Sequence, residues 1–185
     1  MMTLEQRKET QHNCSRAIMV VMEAADLNST ACMCSAVREM NRAMTQFYDI
    51  ALAPSKIKSS QFTTLNAIAQ AGEIAQCDFA RHYAVTVETL SRRFSKLRQR
   101  GLIASRTGSR SERIYHLTEQ GETVLRNSRP YWNSAQTCLK QALEEAGWQL
   151  FFKSCERAVC ASLLAEELRS PNGRRFHMHE TTPAD

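Results

Sequence analysis

From Val87 to Gly101, apolar residues return every three or four positions. Val87, Leu90, Phe94 and Leu97 fall on one helical face, and Glu88, Thr89, Ser91, Arg92, Lys96 and Arg100 on the other, with Arg93 at its side. Thr86 stands where a hydroxyl can accept a free first-turn amide, and Gly101 stands where the helix should stop. Upstream, Val37, Met40, Met44, Phe47, Tyr48 and Ala51 make a broad stripe on a helix from Ala31 to Leu52, with Ser29 and Thr30 as capping residues and Ala53-Pro54-Ser55 as its end. Ser59 or Ser60 is expected to cap the next helix, whose apolar side is Phe62, Leu65, Ile68 and Ala69 and which stops at Ala71-Gly72. Glu73-Ile74-Ala75 is a short strand candidate. Gln76 to Tyr83 reads as a helix with Phe79, Ala80 and Tyr83 inward. Two short helices joined by a tight turn, the second amphipathic and basic, form a helix-turn-helix arrangement.

Past Gly101, Leu102–Thr107 and Arg113–Leu117 alternate in part on either side of Gly108-Ser109-Arg110-Ser111-Glu112. That is a β-hairpin with a basic tip, a wing, with which Glu73–Ala75 can pair. Thr118 caps a long helix carrying Val124 and Leu125 and running past Tyr131 and Trp132 towards Leu143, which Pro130 should kink or break. Ala146-Gly147 is a stop signal. Trp148 to Leu168 is a last amphipathic helix, with Leu150, Phe151, Val159, Leu163 and Leu164 apolar.

The fold class expected is mainly α (α+β): a winged helix-turn-helix with a two-stranded wing and terminal dimerisation helices. The boundaries expected are an N-terminal arm at 1–28, a first dimerisation helix at 29–53, a DNA-binding lobe at 54–120, C-terminal dimerisation helices at 121–170 and a disordered polar tail at 171–185.

The net charge of +5 is spread unevenly. Between Ser55 and Tyr115 there are 11 lysines and arginines against 4 acidic residues, and the rest of the chain holds 13 against 15. A positive field concentrated on the helix-turn-helix and wing is the footprint of a polyanion partner, here double-stranded DNA. The helix starting at Val87 would enter the major groove by its N-terminal half. Glu88, Thr89, Ser91 and Arg92 are then the candidates for base edges and adjacent phosphates, and Lys96 lies further along as a phosphate contact. Arg110 would reach the minor groove from the wing, flanked by Arg106 and Arg113. One helix reads few base pairs, so a homodimer on a pseudo-palindromic site is expected, with Phe151, Val159, Leu163 and Leu164 as subunit contacts.

The order of elements and several motifs resemble the MarR family of winged helix-turn-helix regulators over about Ala31 to Leu168. Arg42 to Tyr48 leads into Leu52-Ala53-Pro54 and then Gln61-Phe62 and Leu65. Phe79-Ala80 precedes Thr89-Leu90-Ser91-Arg92 and the run Leu97 to Leu102. Arg110 lies seven residues before Leu117-Thr118, and Leu117-Thr118-Glu119-Gln120-Gly121 matches the turn into the family's fifth helix. Cys32-Met33-Cys34 ahead of Val37-Arg38 is similar to a subgroup. In the wing, Ser109 and Ser111 flank Arg110 where the family commonly has an acidic residue and paired arginines. The resemblance implies a homodimer with intertwined terminal helices and a repressor released by a small aromatic ligand. Met40, Met44, Phe47, Tyr48, Phe62 and Trp132, with Tyr131, would line its pocket. By the residues alone, such a stripe is core more often than pocket.

Seven cysteines is an odd number in a chain with ample core, which reads as free thiols rather than a disulfide frame. Cys32 and Cys34, at a helix start, are the redox-sensor candidates; the other reading is small residues buried at a dimer seam. Two residues along a helix stand about 200° apart, which excludes a disulfide between them within one intact helix. No CxxC pair or His/Cys cluster suggests a metal, and no cofactor is expected. The longest apolar run near the N-terminus, Ile18–Met22, falls far short of a span, so no membrane association and a cytoplasmic location are expected. An enzyme is disfavoured, since there is no glycine-rich phosphate loop and no GxSxG. The alternatives kept are a thiol-based redox-sensing regulator and, from another class, a winged-helix protein-interaction module.

Overall fold

The computed structural model describes residues 32–83, 85–109 and 112–167. The expected N-terminal arm, the Ser29-Thr30 cap, Arg110 at the wing tip and the expected tail lie outside the described residues. The chain divides into two compact units after Leu139.

In the first unit, helix α1 (Met33–Leu52) passes through a single 3-10 turn (Ala53–Ser55) to α2 (Ser59–Ala71). Strand β1 (Glu73–Ala75) leads into α3 (Gln76–His82) and α4 (Val87–Gln99), and then strands β2 (Ile103–Thr107) and β3 (Arg113–Leu117) precede α5 (Glu119–Glu167). The three strands form one antiparallel sheet in the order β1-β3-β2, with Tyr115 opposite both Ile74 and Ser105. The wing hairpin therefore gains a third strand from the segment just before the helix-turn-helix.

The alternation in the sequence becomes one core. Leu90, Phe94 and Leu97 of α4 pack with Leu52, Phe62, Leu65, Ile68, Phe79, Leu102, Ile103, Tyr115 and Leu125. A smaller cluster, Phe47, Ala51 and Ala135, ties α1 to the first part of α5, with Tyr48, Cys138 and Leu139 against it.

Five details depart from the expectations. Val87 belongs to the apolar stripe by spacing but is 50% exposed, because it sits in the first turn of α4, before Leu90 reaches the core. Tyr83 is exposed and lays its ring on Phe79 at 4.4 Å instead of entering the core. The N-cap of α2 is Lys58, not a serine. Its first amides are taken by stronger acceptors: Ser59 N–H donates to Asp49 Oδ1 at 2.7 Å, and Lys58 N–H to Gln61 Oε1 at 3.0 Å. Finally, the backbone stays helical through Pro130, since Tyr131 and Trp132 pack against the core beside it. The non-helical residue of α5 is Glu144, with φ 55° and ψ 171°, and not Ala146-Gly147.

The start of α5 is locked to the end of α4 by three features. Gly101 takes a φ of +67°, which favours glycine, and turns the chain. Thr118 Oγ1 donates to Gly101 O at 2.6 Å and accepts from Gly121 N–H at 3.0 Å, capping α5 as expected. Thr118 N–H donates to Leu102 O at 3.2 Å, and that carbonyl sits against Gly121 where no side chain fits.

In the second unit, Lys140 and Glu145 pair at 2.9 Å, and Leu143, Leu150, Phe152 and Val159 are exposed. Among the described residues, no helix is long and apolar enough to cross a membrane.

Candidate nucleic-acid interface

Helix α4 is set by its two ends and its buried face. Thr86 caps it, accepting from Thr89 N–H at 3.2 Å, and its side-chain hydroxyl also donates to Thr89 Oγ1 at 3.0 Å. Leu90, Phe94 and Leu97 hold one side in the core. This leaves Glu88, Thr89, Ser91, Arg92 and Lys96 together on the exposed side, with the N-terminal half free of covering elements among the described residues. Arg93 is half-buried, and Arg98 is exposed further along.

A relay reaches this surface from the sheet. Tyr115 is 4% exposed, and its Oη donates to Gln76 Oε1 at 3.3 Å. Gln76, the first residue of α3, donates from Nε2 to Ser91 Oγ at 2.6 Å. Neither Gln76 nor Tyr115 stood out in the sequence, because their partners lie 15 and 39 residues away and carry no local spacing signal.

The cations separate into two groups. Arg92, Lys96 and Arg113 are exposed and free of ion pairs among the described residues. Arg100 faces elsewhere: its guanidinium donates to Gln61 Oε1 and to Lys56 O, both at 3.0 Å, and clamps the end of α4 to the start of α2. Arg106 is held by Glu73, with Nε–Oε1 at 3.1 Å and Nη2–Oε2 at 2.6 Å. The Arg106 hydrogen bond keeps the Glu73 carboxyl below its ordinary value, with the charges of Arg106 and His116 adding to the effect, and Glu73 in turn raises Arg106.

The residues expected to line a pocket form a filled stack. Trp132 lies between Tyr48, at 4.2 Å and 20°, and Phe62, at 4.5 Å and 18°, while Phe47 is buried beside them and Met40 and Met44 are half-buried. A cavity of 590 Å³ opens instead beside Glu73, His116, Glu122, Leu125, Arg126 and Arg129, and none of the six lines it. Cys32 is the exposed N-cap of α1. The Ser35 backbone hydrogen bond, followed by the Ser35 hydroxyl, lowers its thiol below the ordinary range. Cys34 is also exposed.

No family model matches the chain, and no curated protein matches it. Solved structures do. The transcriptional regulator MosR of M. tuberculosis in complex with DNA is 26% identical, with a TM-score of 0.63 over 71% of this chain and 98% of that one. The oxidised form of MarR from E. coli is 16% identical, with a TM-score of 0.59 over 72% and 98%. The chain has the MarR-family winged-helix fold. The PcaV transcriptional regulator from Streptomyces coelicolor, solved with its natural ligand, matches at 17% identity and a TM-score of 0.60 over 72% and 98%. The MarR resemblance in the sequence and the likeness of the folds agree. In this MarR-type frame, α4 is the second helix of the helix-turn-helix and β2-β3 the wing.

Proposed function

We propose that this chain is a sequence-specific transcriptional regulator that binds double-stranded DNA as a homodimer and acts as a repressor released by a small ligand. The observation that carries this reading is the exposed N-terminal half of α4, where Arg92 stands beside Glu88, Thr89 and Ser91 on a helix whose opposite face is fixed in the core. An α-helix fits the major groove, and a planar guanidinium matches a guanine edge or a phosphate. MosR, solved with DNA, supports the reading by its likeness. Lys96 and Arg113 supply phosphate contacts. A small aromatic effector would have to displace part of the Tyr48–Trp132–Phe62 stack, since the rings already fill that space.

The test is selection of bound fragments from genomic DNA by the purified chain, followed by titration of the enriched duplex at several salt concentrations. A pseudo-palindrome whose affinity falls steeply with salt is expected. Failure to enrich any duplex favours the protein-interaction module and removes the reading.

A second reading is favoured by one observation, the lowered thiol at the exposed Cys32. A thiol-sensing regulator should lose DNA on mild oxidation, and Cys32→Ser or Cys34→Ser should abolish that loss. Because the Cys32 thiolate forms at lower pH than an ordinary thiol, its alkylation should start at lower pH, and Cys32→Ser should remove that early phase.

A further inference from the structure

We propose that Gln76 is a positioning residue that sets the base preference of the recognition helix, by making the Ser91 hydroxyl a hydrogen-bond donor towards DNA. The inference rests on the DNA-binding reading and goes beyond it to the polarity of one contact.

The argument starts at the sheet. Tyr115 lies on the central strand, its ring packed on Phe94 at 4.2 Å and its Oη aimed at Gln76. A carboxamide has one acceptor end and one donor end. The Tyr115 hydroxyl occupies the acceptor, so the donor end turns to Ser91 and meets Oγ at 2.6 Å. A serine hydroxyl has a single proton. With a lone pair engaged by Gln76, that proton is turned to the exposed side of α4, and accepting the bond from Gln76 strengthens it as a donor. In the groove, its partners are then acceptors: guanine O6 and N7, adenine N7, thymine O4 or a phosphate oxygen. The amino groups of cytosine and adenine are disfavoured. Thr89, two residues earlier, is held differently, by Thr86 within the cap, so of these two hydroxyls Ser91 is the one whose polarity is set from another element. The relay also fixes the Ser91 rotamer before DNA arrives, which removes an ordering cost from binding.

The experiment selects duplexes from a randomised pool with the full chain and with Ser91→Ala, Gln76→Met, Gln76→Glu and the Ser91→Ala/Gln76→Met double variant, each checked for a cooperative melt. Gln76→Met keeps the length of the side chain without its donor. It should weaken the best site by about three- to tenfold, the worth of one hydrogen bond, and should add nothing once Ser91 is alanine. Gln76→Glu presents an acceptor to Ser91. It should move the preference lost in Ser91→Ala towards cytosine or adenine amino groups, and leave the preference under Arg92 unchanged. A Ser91 that meets only a phosphate, so that Ser91→Ala weakens all sequences alike, would overturn the proposal, because a phosphate carries no base preference. Multiplying effects in the double variant, an unmoved preference in Gln76→Glu at a base Ser91 reads, or a Ser91→Ala variant indistinguishable from wild type would each overturn the proposal. A wild-type chain that enriches no duplex fails the DNA-binding reading instead, and so the two failures are distinguishable.

Discussion

The Arg106 guanidinium and the Glu73 carboxylate meet fork to fork across β3, joining the two outer strands of the sheet at 3.1 and 2.6 Å. Both side chains are about half exposed, so the pair serves geometry more than stability. It takes up the cation that the charge pattern offered as a wing contact to DNA. Glu73→Gln should free Arg106 and remove a negative charge from the strand β1 beside the wing. The expected result is tighter binding to non-specific duplex, with the slope of log affinity against log salt steeper by about one. Salt titrations by fluorescence anisotropy check it, and an unchanged slope means that Arg106 stays part of the sheet. The pH dependence has a definite sign. The folded carboxyl of Glu73 titrates below its unfolded value, so the stability from the pair is present above the unfolded value and is lost as pH falls through the folded one.

Arg92 and Arg100 lie on the same helix but should respond oppositely to alanine. Arg92 has no ion-pair partner among the described residues, and Arg92→Ala should weaken specific binding by about 1–3 kcal/mol while leaving the melting temperature in place. Arg100 holds Gln61 and the Lys56 carbonyl, so Arg100→Ala should lower stability by about 1 kcal/mol and leave base preference intact. Urea unfolding and titration of the preferred duplex, run on both variants, separate the two roles.

How far the sequence reached follows from the range of each signal. Periodicity is local, so Leu90, Phe94 and Leu97 could be read as a buried stripe, and the Thr86, Thr118 and Gly101 signals marked real helix ends. Val87 had the right period but the wrong place in its helix. The serine caps of α2 failed because Asp49, from the preceding helix, takes the Ser59 amide. Arg106 and Arg100 look in the sequence like their exposed neighbours. Their partners lie 33 and 39 residues away, and only the fold brings these groups together. Glu144 has no glycine, proline or cap signal at its position, and the break falls there instead of at the nearby Gly147.

The two glycines of α5 should give stability changes of opposite sign. A Cβ on Gly121 would stand 1.9 Å from the Leu102 carbonyl oxygen, which is backbone and itself hydrogen-bonded to Thr118. Gly121→Ala should therefore cost about 3 kcal/mol or more, because the turn between α4 and β2 must move. At Gly147, the added methyl meets Leu143 Cβ at an ordinary 3.6 Å within a helical stretch. Gly147→Ala should stabilise by about 0.5–1 kcal/mol through the loss of backbone freedom in the unfolded chain. Denaturant midpoints at constant m-value decide both.

Phe152 and Val159 are seven residues apart in the second unit and so share one face of its helix, 52% and 57% exposed. Phe151, which the apolar spacing picks out, is the more buried of the two adjacent rings. Large apolar side chains left open in this way are what a subunit contact would cover. If the proposed homodimer uses this face, the Phe152→Glu/Val159→Glu variant should sediment as a monomer at concentrations where wild type is dimeric, because two buried carboxylates would face their copies across a two-fold axis. The same variant should keep contact with a single half-site but lose most of its affinity for the full pseudo-palindrome, since the second helix no longer arrives with the first. A double variant that remains dimeric would place the subunit contact on another surface. In that case the exposed Met33 and Val37 of α1 are the next residues to charge.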